Sequence, residues 1–381
     1  MSRYFLVLFT ALSSFLFAQK HQSNYSIGNV LYEKYEFQSA AYFYEKHLEL
    51  DSTHLRAWLK LGKCFVQLGN YQKAESSFSK GLEIDPFYEP IMNQQAMLLI
   101  KLKQYAGAAE CYLQLSHLHP KNAYYVKKAA SVYEKMGDIF CSTSYYQMAL
   151  DMNENDFETI LNLANSYLNM GAHASADSML LLGLLIDSSN VNLLSLQVKS
   201  SFQQGNYDLA YNLLKNLPGD EIWQLRYLAY CAFELRKYQE AKRILLNLEN
   251  DEMGNENSAF LLGRTYLTLN KNDSAIFYFE EAVKRGVSPN MDKYLQELAL
   301  TYQNQEMHQK AIETFKKVKP TAKVLFHLAR SYDEYYQDKS VALAYYQDFL
   351  KQEDSTRIDF LKYSKSRIRA IKKERHFKSN P

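Results

Sequence analysis

Two histidines one residue apart, His117 and His119, and two adjacent carboxylates, Glu280 and Glu281, are the spacings in this sequence nearest to chemical machinery. A histidine pair can ligate a metal, and a carboxylate pair can share acid–base work. Neither spacing suits its task. The histidines precede Pro120 at what reads as a helix end, where a capping or exposed role is expected. Adjacent residues of a helix face different directions, so Glu280 and Glu281 make a poor couple. Gly62-Lys63 lacks the upstream glycine and the following Ser or Thr of a phosphate-cradling loop. The patterns H-E-x-x-H, C-x-x-C and G-x-S-x-G are absent. Cys64, Cys111, Cys141 and Cys231 are too scattered for a zinc site or a dense disulfide scaffold. They read as four small buried thiols, with a Cys111–Cys141 bridge the one pairing left open. We therefore assign no catalytic residue, no metal ligand and no cofactor; an enzyme with an unrecognised site is the least favoured reading.

What surrounds these residues is a chain of 381 amino acids, longer than one compact core usually holds. It is 47% hydrophobic and 23% charged, so a folded protein is expected. A net charge of +2 gives no reason to expect nucleic-acid binding. Thirteen Gly and seven Pro supply too little turn chemistry for a large β-sandwich or barrel. At the start, Arg3 precedes an apolar stretch from Tyr4 to Phe17, and polar sequence resumes after Ala18. That pattern predicts a signal peptide over residues 1–18, cleaved after Ala18, and export to the periplasm or beyond. No later segment is apolar enough to span a bilayer, so no integral span is expected once the signal is removed.

The remainder repeats. Steps of 34 from Gly28 meet Gly62, Ala96, Ala130, Ala164 and Val198; twelve residues on, Ala40, Ala74, Ala108, Ser142, Ala176 and Ala210 follow the same steps. The small pair continues as Ala229/Ala241, Gly263/Ala275, Ala299/Ala311 and Ala329/Ala342. Within one unit, Trp58, Leu61, Phe65 and Leu68 recur at helical spacing, Gly69-Asn70 ends that helix, and Ala74, Phe78 and Leu82 mark a second one stopped at Pro86. Two helices joined by so short a turn pack closely, with small residues where they cross and aromatics in the wider gaps.

Trp58, Leu61, Gly62, Phe65, Ala74, Phe78 and Pro86 resemble the tetratricopeptide repeat, whose pattern is W-x2-L-G-x2-Y…A-x3-F…P. Looser copies cover residues 22–352. The resemblance implies an all-α fold, a right-handed superhelical α-solenoid of about ten helix-turn-helix repeats. A terminal helix over 353–377 should cap it, leaving a frayed tail at 378–381. The basic run of that helix, Lys362 to Arg375, reads as a solvated face. Bends are expected near 218–221, 250–258 and 285–292, where the register breaks.

The resemblance also implies that the first helix of each repeat lines a concave groove. Its candidate residues here are Arg56, Lys60, Lys63, Asn93, Lys127, Asn162, Asn165, Lys199, Arg226, Tyr230, Arg264 and Arg330. Asn can both donate to and accept from a bound main chain, and Lys or Arg can pair a carboxylate. The expected function is a non-catalytic scaffold in the cell envelope that binds a protein or peptide segment. The alternative is a glycan or cell-wall binder that stacks sugar rings on Tyr124, Tyr125, Trp223, Tyr227 and Tyr230.

Overall fold

The computed structural model describes residues 24–251, 254–286, 289–352 and 358–379, and every regular element among them is an α-helix. The segment expected to direct export, residues 1–18, lies outside the described residues, as do parts of the stretches at 250–258 and 285–292 and the last two residues of the expected tail.

The chain divides into two compact units, Met1–Ser200 and Ser201–Pro381. The first holds α1 (24–33), α2 (Phe37–Leu48), α3 (Leu55–Gln67), α4 (Tyr71–Ile84), α5 (Glu89–Lys101), α6 (Tyr105–Leu118), α7 (Ala123–Met136), α8 (Ile139–Met152), α9 (Phe157–Asn169) and α10 (His173–Ile186). The helix α11 (Val191–Gln203) carries the boundary. The second unit continues with α12 (Tyr207–Asn216), α13 (Ile222–Glu234), α14 (Tyr238–Asn250), α15 (Glu256–Thr268), α16 (Asn272–Arg285), α17 (Met291–Asn304), α18 (His308–Phe315), α19 (Ala322–Tyr335) and α20 (Ser340–Lys351). A last helix, α21 (Ile358–Ser379), follows. Helices pair in sequence as hairpins, and α3 with α5, α13 with α15 and α17 with α19 bring successive first helices together. This is the expected α-solenoid of about ten repeats with a terminal helix.

The turns inside the first nine hairpins share one backbone device. A residue of positive φ stands at Tyr35, Gly69, Lys103, Gly137, Gly171, Gly205, Arg236, Asn270 and Glu306. The residue after each donates its N–H back across the turn: Asn70 to the Phe65 carbonyl at 2.9 Å, Gln104 to Leu99 at 2.8 Å, Lys237 to Ala232 at 2.8 Å. This left-handed closure satisfies carbonyls that the helix end would otherwise leave orphaned. Glycine takes the conformation freely; Tyr35, Lys103, Arg236 and Glu306 take it at a steric cost. The repeat step shortens between Gly205 and Arg236 because α12 has only 10 residues, where most second helices have 13 or 14.

Close packing explains the small residues of the first helices. A Cβ placed on Gly62 would lie 2.3 Å from the Phe78 ring, and one on Gly263 2.6 Å from that of Phe279. The partner stands sixteen residues on in each case. Ala96 with Tyr112, Ala130 with Tyr146, Ala164 with Leu180 and Ala299 with Phe315 keep the same separation, and each pair shares one buried cluster. Gly62 is thus small because of Phe78, where the repeat pattern pointed to a crossing with Ala74. The buried tyrosines Tyr44, Tyr112, Tyr146 and Tyr346 fill these slots.

The terminal helix is fastened. Phe360 stacks on Phe326 of α19 with centroids 4.0 Å apart, and Ile371 is fully buried. Arg367, expected on a solvated face, instead gives a two-pronged pair to Asp333, at 2.7 and 2.8 Å. Asp333 is buried on α19, so its charge requires a partner, and the guanidinium fork fits a carboxylate.

Replacing Lys103 by glycine relieves a left-handed strain of about 1–2 kcal/mol against an unfolded-state entropy cost of about 0.4–1 kcal/mol. We expect a raised urea midpoint for Lys103→Gly; a lowered midpoint contradicts the strain assigned to this turn.

Candidate functional site

The candidate groove residues stand on first helices of both units. In the first unit, most of the cations are already engaged. Lys60 on α3 lies 3.9 Å from Glu33 of α1 and 4.2 Å from the centre of the Tyr32 ring. Lys63 is half-buried, and burial together with neighbouring Lys60 pulls its pKa down. Lys127 on α7 reaches Asp156 at 2.9 Å and Glu158 at 2.7 Å, at the start of α9. Burial alone would raise the Asp156 carboxyl, but hydrogen bonds from Lys127 and Thr159 hold it below the ordinary range. Lys199 donates to Asn169 at 3.1 Å. Arg56 is exposed; Asn93, Asn162 and Asn165 are half-buried. The structure therefore uses Lys60, Lys127 and Lys199 as ties from one first helix to the next.

In the second unit, three candidates converge. Arg226 and Tyr230 on α13 and Arg264 on α15 line one concavity of about 330 Å³. Its wall continues with Phe202, Tyr227, Phe260 and Leu261, and with Asn255, Asn257, Asn290, Lys293 and Tyr294 from the starts of α15 and α17. With Ala229, Gly263 and Ala299 taken as position eight of their repeats, positions two, five, six and nine supply Arg226, Tyr227, Tyr230, Asn257, Phe260, Leu261, Arg264 and Lys293. These positions share one helix face, and that spacing was the signal that could have found Phe260 and Lys293. Asn255 and Asn290 precede their helices, where no helical period reaches them.

The pocket wall is closely packed and positive. Phe202 meets Tyr227 and Tyr230 with centroids 4.6 and 5.0 Å away, and Phe260 meets Tyr294 at 4.7 Å. Asn255 accepts from the Ser258 backbone at 2.9 Å, and the Tyr294 hydroxyl donates to Asn257 at 2.7 Å. Arg226, Arg264 and Lys293 bring three cations, and among the described residues no carboxylate lines the pocket. Glu234, 4.0 Å from Arg264, offsets part of this charge from outside the wall, and the Arg264 guanidinium lies 4.5 Å over the Phe233 ring. Burial, and then Glu234, push the Tyr230 phenol up. Arg330 stands apart on α19, paired with Glu334 at 2.8 Å.

The aromatic residues considered for sugar stacking form no single platform. Tyr125 is buried and donates to Glu89. Trp223 donates to Glu221 at 2.6 Å and is not in the wall, whereas Tyr227 and Tyr230 are. All four cysteines are free thiols: Cys64 and Cys231 are buried, Cys111 and Cys141 half-buried, and Cys111–Cys141 is not a bridge. His119 caps α6 and lies 2.9 Å from Glu89.

Models of the tetratricopeptide repeat match residues 55–88, 257–285 and 292–319, which include most of the α15 and α17 side of the pocket. Over these residues the chain carries tetratricopeptide repeats. Among curated proteins, the BBSome complex member BBS4 of Bos taurus is 22% identical over 315 residues, 81% of this chain and 59% of that relative. Tetratricopeptide repeat protein 12 of Mus musculus is 24% identical over 38% of this chain, which spans 20% of it. This repeat protein thus spans less than two thirds of the length of either relative. Among solved structures, a tetratricopeptide repeat protein from Parabacteroides merdae is 18% identical, with a TM-score of 0.48 over 65% of this chain and 98% of that one. YrrB, described as having an unusual peptide-binding site, is 19% identical, with a TM-score of 0.41 over 48% of this chain and 97% of that one.

If Lys127 is a tie between repeats, Lys127→Ala removes two charged hydrogen bonds and costs about 1.5–3 kcal/mol, while Arg56→Ala stays within about 0.5 kcal/mol of wild type. Chemical denaturation checks both; equal stability of the two variants contradicts the assignment.

Proposed function

We propose that this array is an interaction scaffold of the cell envelope that holds an extended, acidic segment of a partner protein in the pocket of its second unit. A tetratricopeptide fold is typical of protein–protein interaction. The observation that carries the finer reading is the lining: three cations, aromatic rings of Tyr and Phe around them, and no carboxylate among the described residues of the wall. Arg226, Arg264 and Lys293 suit carboxylate side chains, and Tyr227, Tyr230 and Phe260 suit an apolar or aromatic residue beside them. The asparagines at the helix starts offer amide groups to a bound main chain. The rings pack on one another, so little side-chain freedom is lost on binding. The apolar N-terminal segment followed by Ala18 is what favours export.

The test is fluorescence anisotropy with dye-labelled twelve-residue peptides, acidic with one aromatic residue, beside basic peptides of equal length. We expect the acidic set to bind, binding to weaken as salt rises, and Arg226→Glu/Lys293→Glu to lose at least about tenfold with an unchanged circular dichroism spectrum. Equal binding of acidic and basic peptides overturns the reading. So does retention of purified cell-wall polysaccharide, undiminished at high salt, by a chain that ignores both peptide sets.

A further inference from the structure

The junction between the first and second hairpins holds a group that the groove does not use. Ligand atoms of His47, Asp51 and His54 all lie within 4.8 Å of one another. His47 closes α2 and is 2% exposed, Asp51 sits in the connecting loop, and His54 is the N-cap of α3. The Nε2 of His47 and the Nδ1 of His54 approach to 2.5 Å. The Tyr25 ring packs against both imidazoles, at centroid distances of 5.3 and 4.7 Å.

The repeat itself supplies the second observation. Counting on by 34, the position of His47 becomes Gly81, Leu115, Ala149 and Gly183, and that of His54 becomes Tyr88, Asn122, Asp156 and Asn190. At Gly81 and Gly183 the next helix fills the space with Ile91 and Leu193. Packing at this junction therefore asks for an apolar or absent side chain, and three of the four equivalent caps are short Asn or Asp, so neither position calls for an imidazole. The carboxylate has a different history: Asp51, Asp85 and Asp187 each accept from the backbone two residues on, at 3.0, 3.0 and 3.1 Å. In the first junction that turn also takes the Thr53 hydroxyl at 2.7 Å, so the carboxylate beside the two histidines is held in place. The loop is pinned further by Trp58, whose indole donates to the Ser52 carbonyl at 2.8 Å.

We propose that His47, Asp51 and His54 bind one divalent ion of the zinc class and so fasten the first hairpin to the second. Two neutral imidazoles and one carboxylate are a donor set this class prefers, with a fourth position left for water. Two nitrogens on one tetrahedral zinc stand about 3.3 Å apart, so the rings open by about 0.8 Å on binding. Entry of the ion displaces the proton shared between the two ring nitrogens.

The test uses the full chain without an affinity tag, stripped with EDTA and titrated with Zn2+ in a calorimeter. Co2+ serves as a probe through its visible absorption. The comparison is His47→Ala/His54→Asn, which installs residue types that equivalent junctions already carry. We expect one ion per chain at micromolar or tighter affinity, a raised melting midpoint with zinc, and a loss of about 100-fold in the double variant with an unchanged helical spectrum. If that variant fails to fold, His54→Asn alone provides the comparison. Zinc binding that is as tight in the variant, or present in the wild type only at millimolar concentration, overturns the proposal.

Discussion

Everything in this fold follows from how closely the two helices of a hairpin approach. At Gly62 the backbone of α3 rests against the ring of Phe78, with no room for even one added carbon. Where the first helix carries alanine, the partner slot still takes a large side chain, as in Ala130 with Tyr146. The rule is that one helix yields its side chain so that the other can bury a ring. Burial of that ring contributes on the order of 1.5–3 kcal/mol, and it also sets how near the axes lie. With the same contact made hairpin after hairpin, successive first helices fall side by side, as α13 and α15 do.

That arrangement determines what the array can offer. Side chains at fixed positions of successive first helices meet on one face, so charges there either tie helices together or serve a ligand. Lys127, bound to Asp156 and Glu158, belongs to the first kind. Lys293, in a wall where no carboxylate is found among the described residues, suits the second. Cations on the faces of first helices thus have two uses, set by what packs against each one.

The repeat was legible because its period is enforced by packing: Gly62, Ala74 and Phe78 must recur if hairpins are to stack. The left-handed turns were half legible. Gly69, Gly137, Gly171 and Gly205 announce themselves, whereas Lys103 and Glu306 occupy the same conformation under residue types that do not advertise it. Arg367 was misread because a basic run looks solvated until its partner is known, and Asp333 lies far back in the chain on another helix. The groove residues were legible by position but not by state, since nothing local to Lys127 tells of Asp156. His47 and His54 escaped notice for a related reason. They are joined across a helix end and a loop, where neither helical nor strand periodicity applies.

The most direct measurement is a double-mutant cycle between Gly62→Ala and Phe78→Leu, read as unfolding free energies. If the ring of Phe78 is what forbids a side chain at position 62, Gly62→Ala costs about 1–3 kcal/mol in the wild-type background and little once Phe78→Leu has removed the ring. The coupling is then at least about 1 kcal/mol. Additive costs would show that the two positions do not press on each other, and the packing rule for the whole array would fail with them.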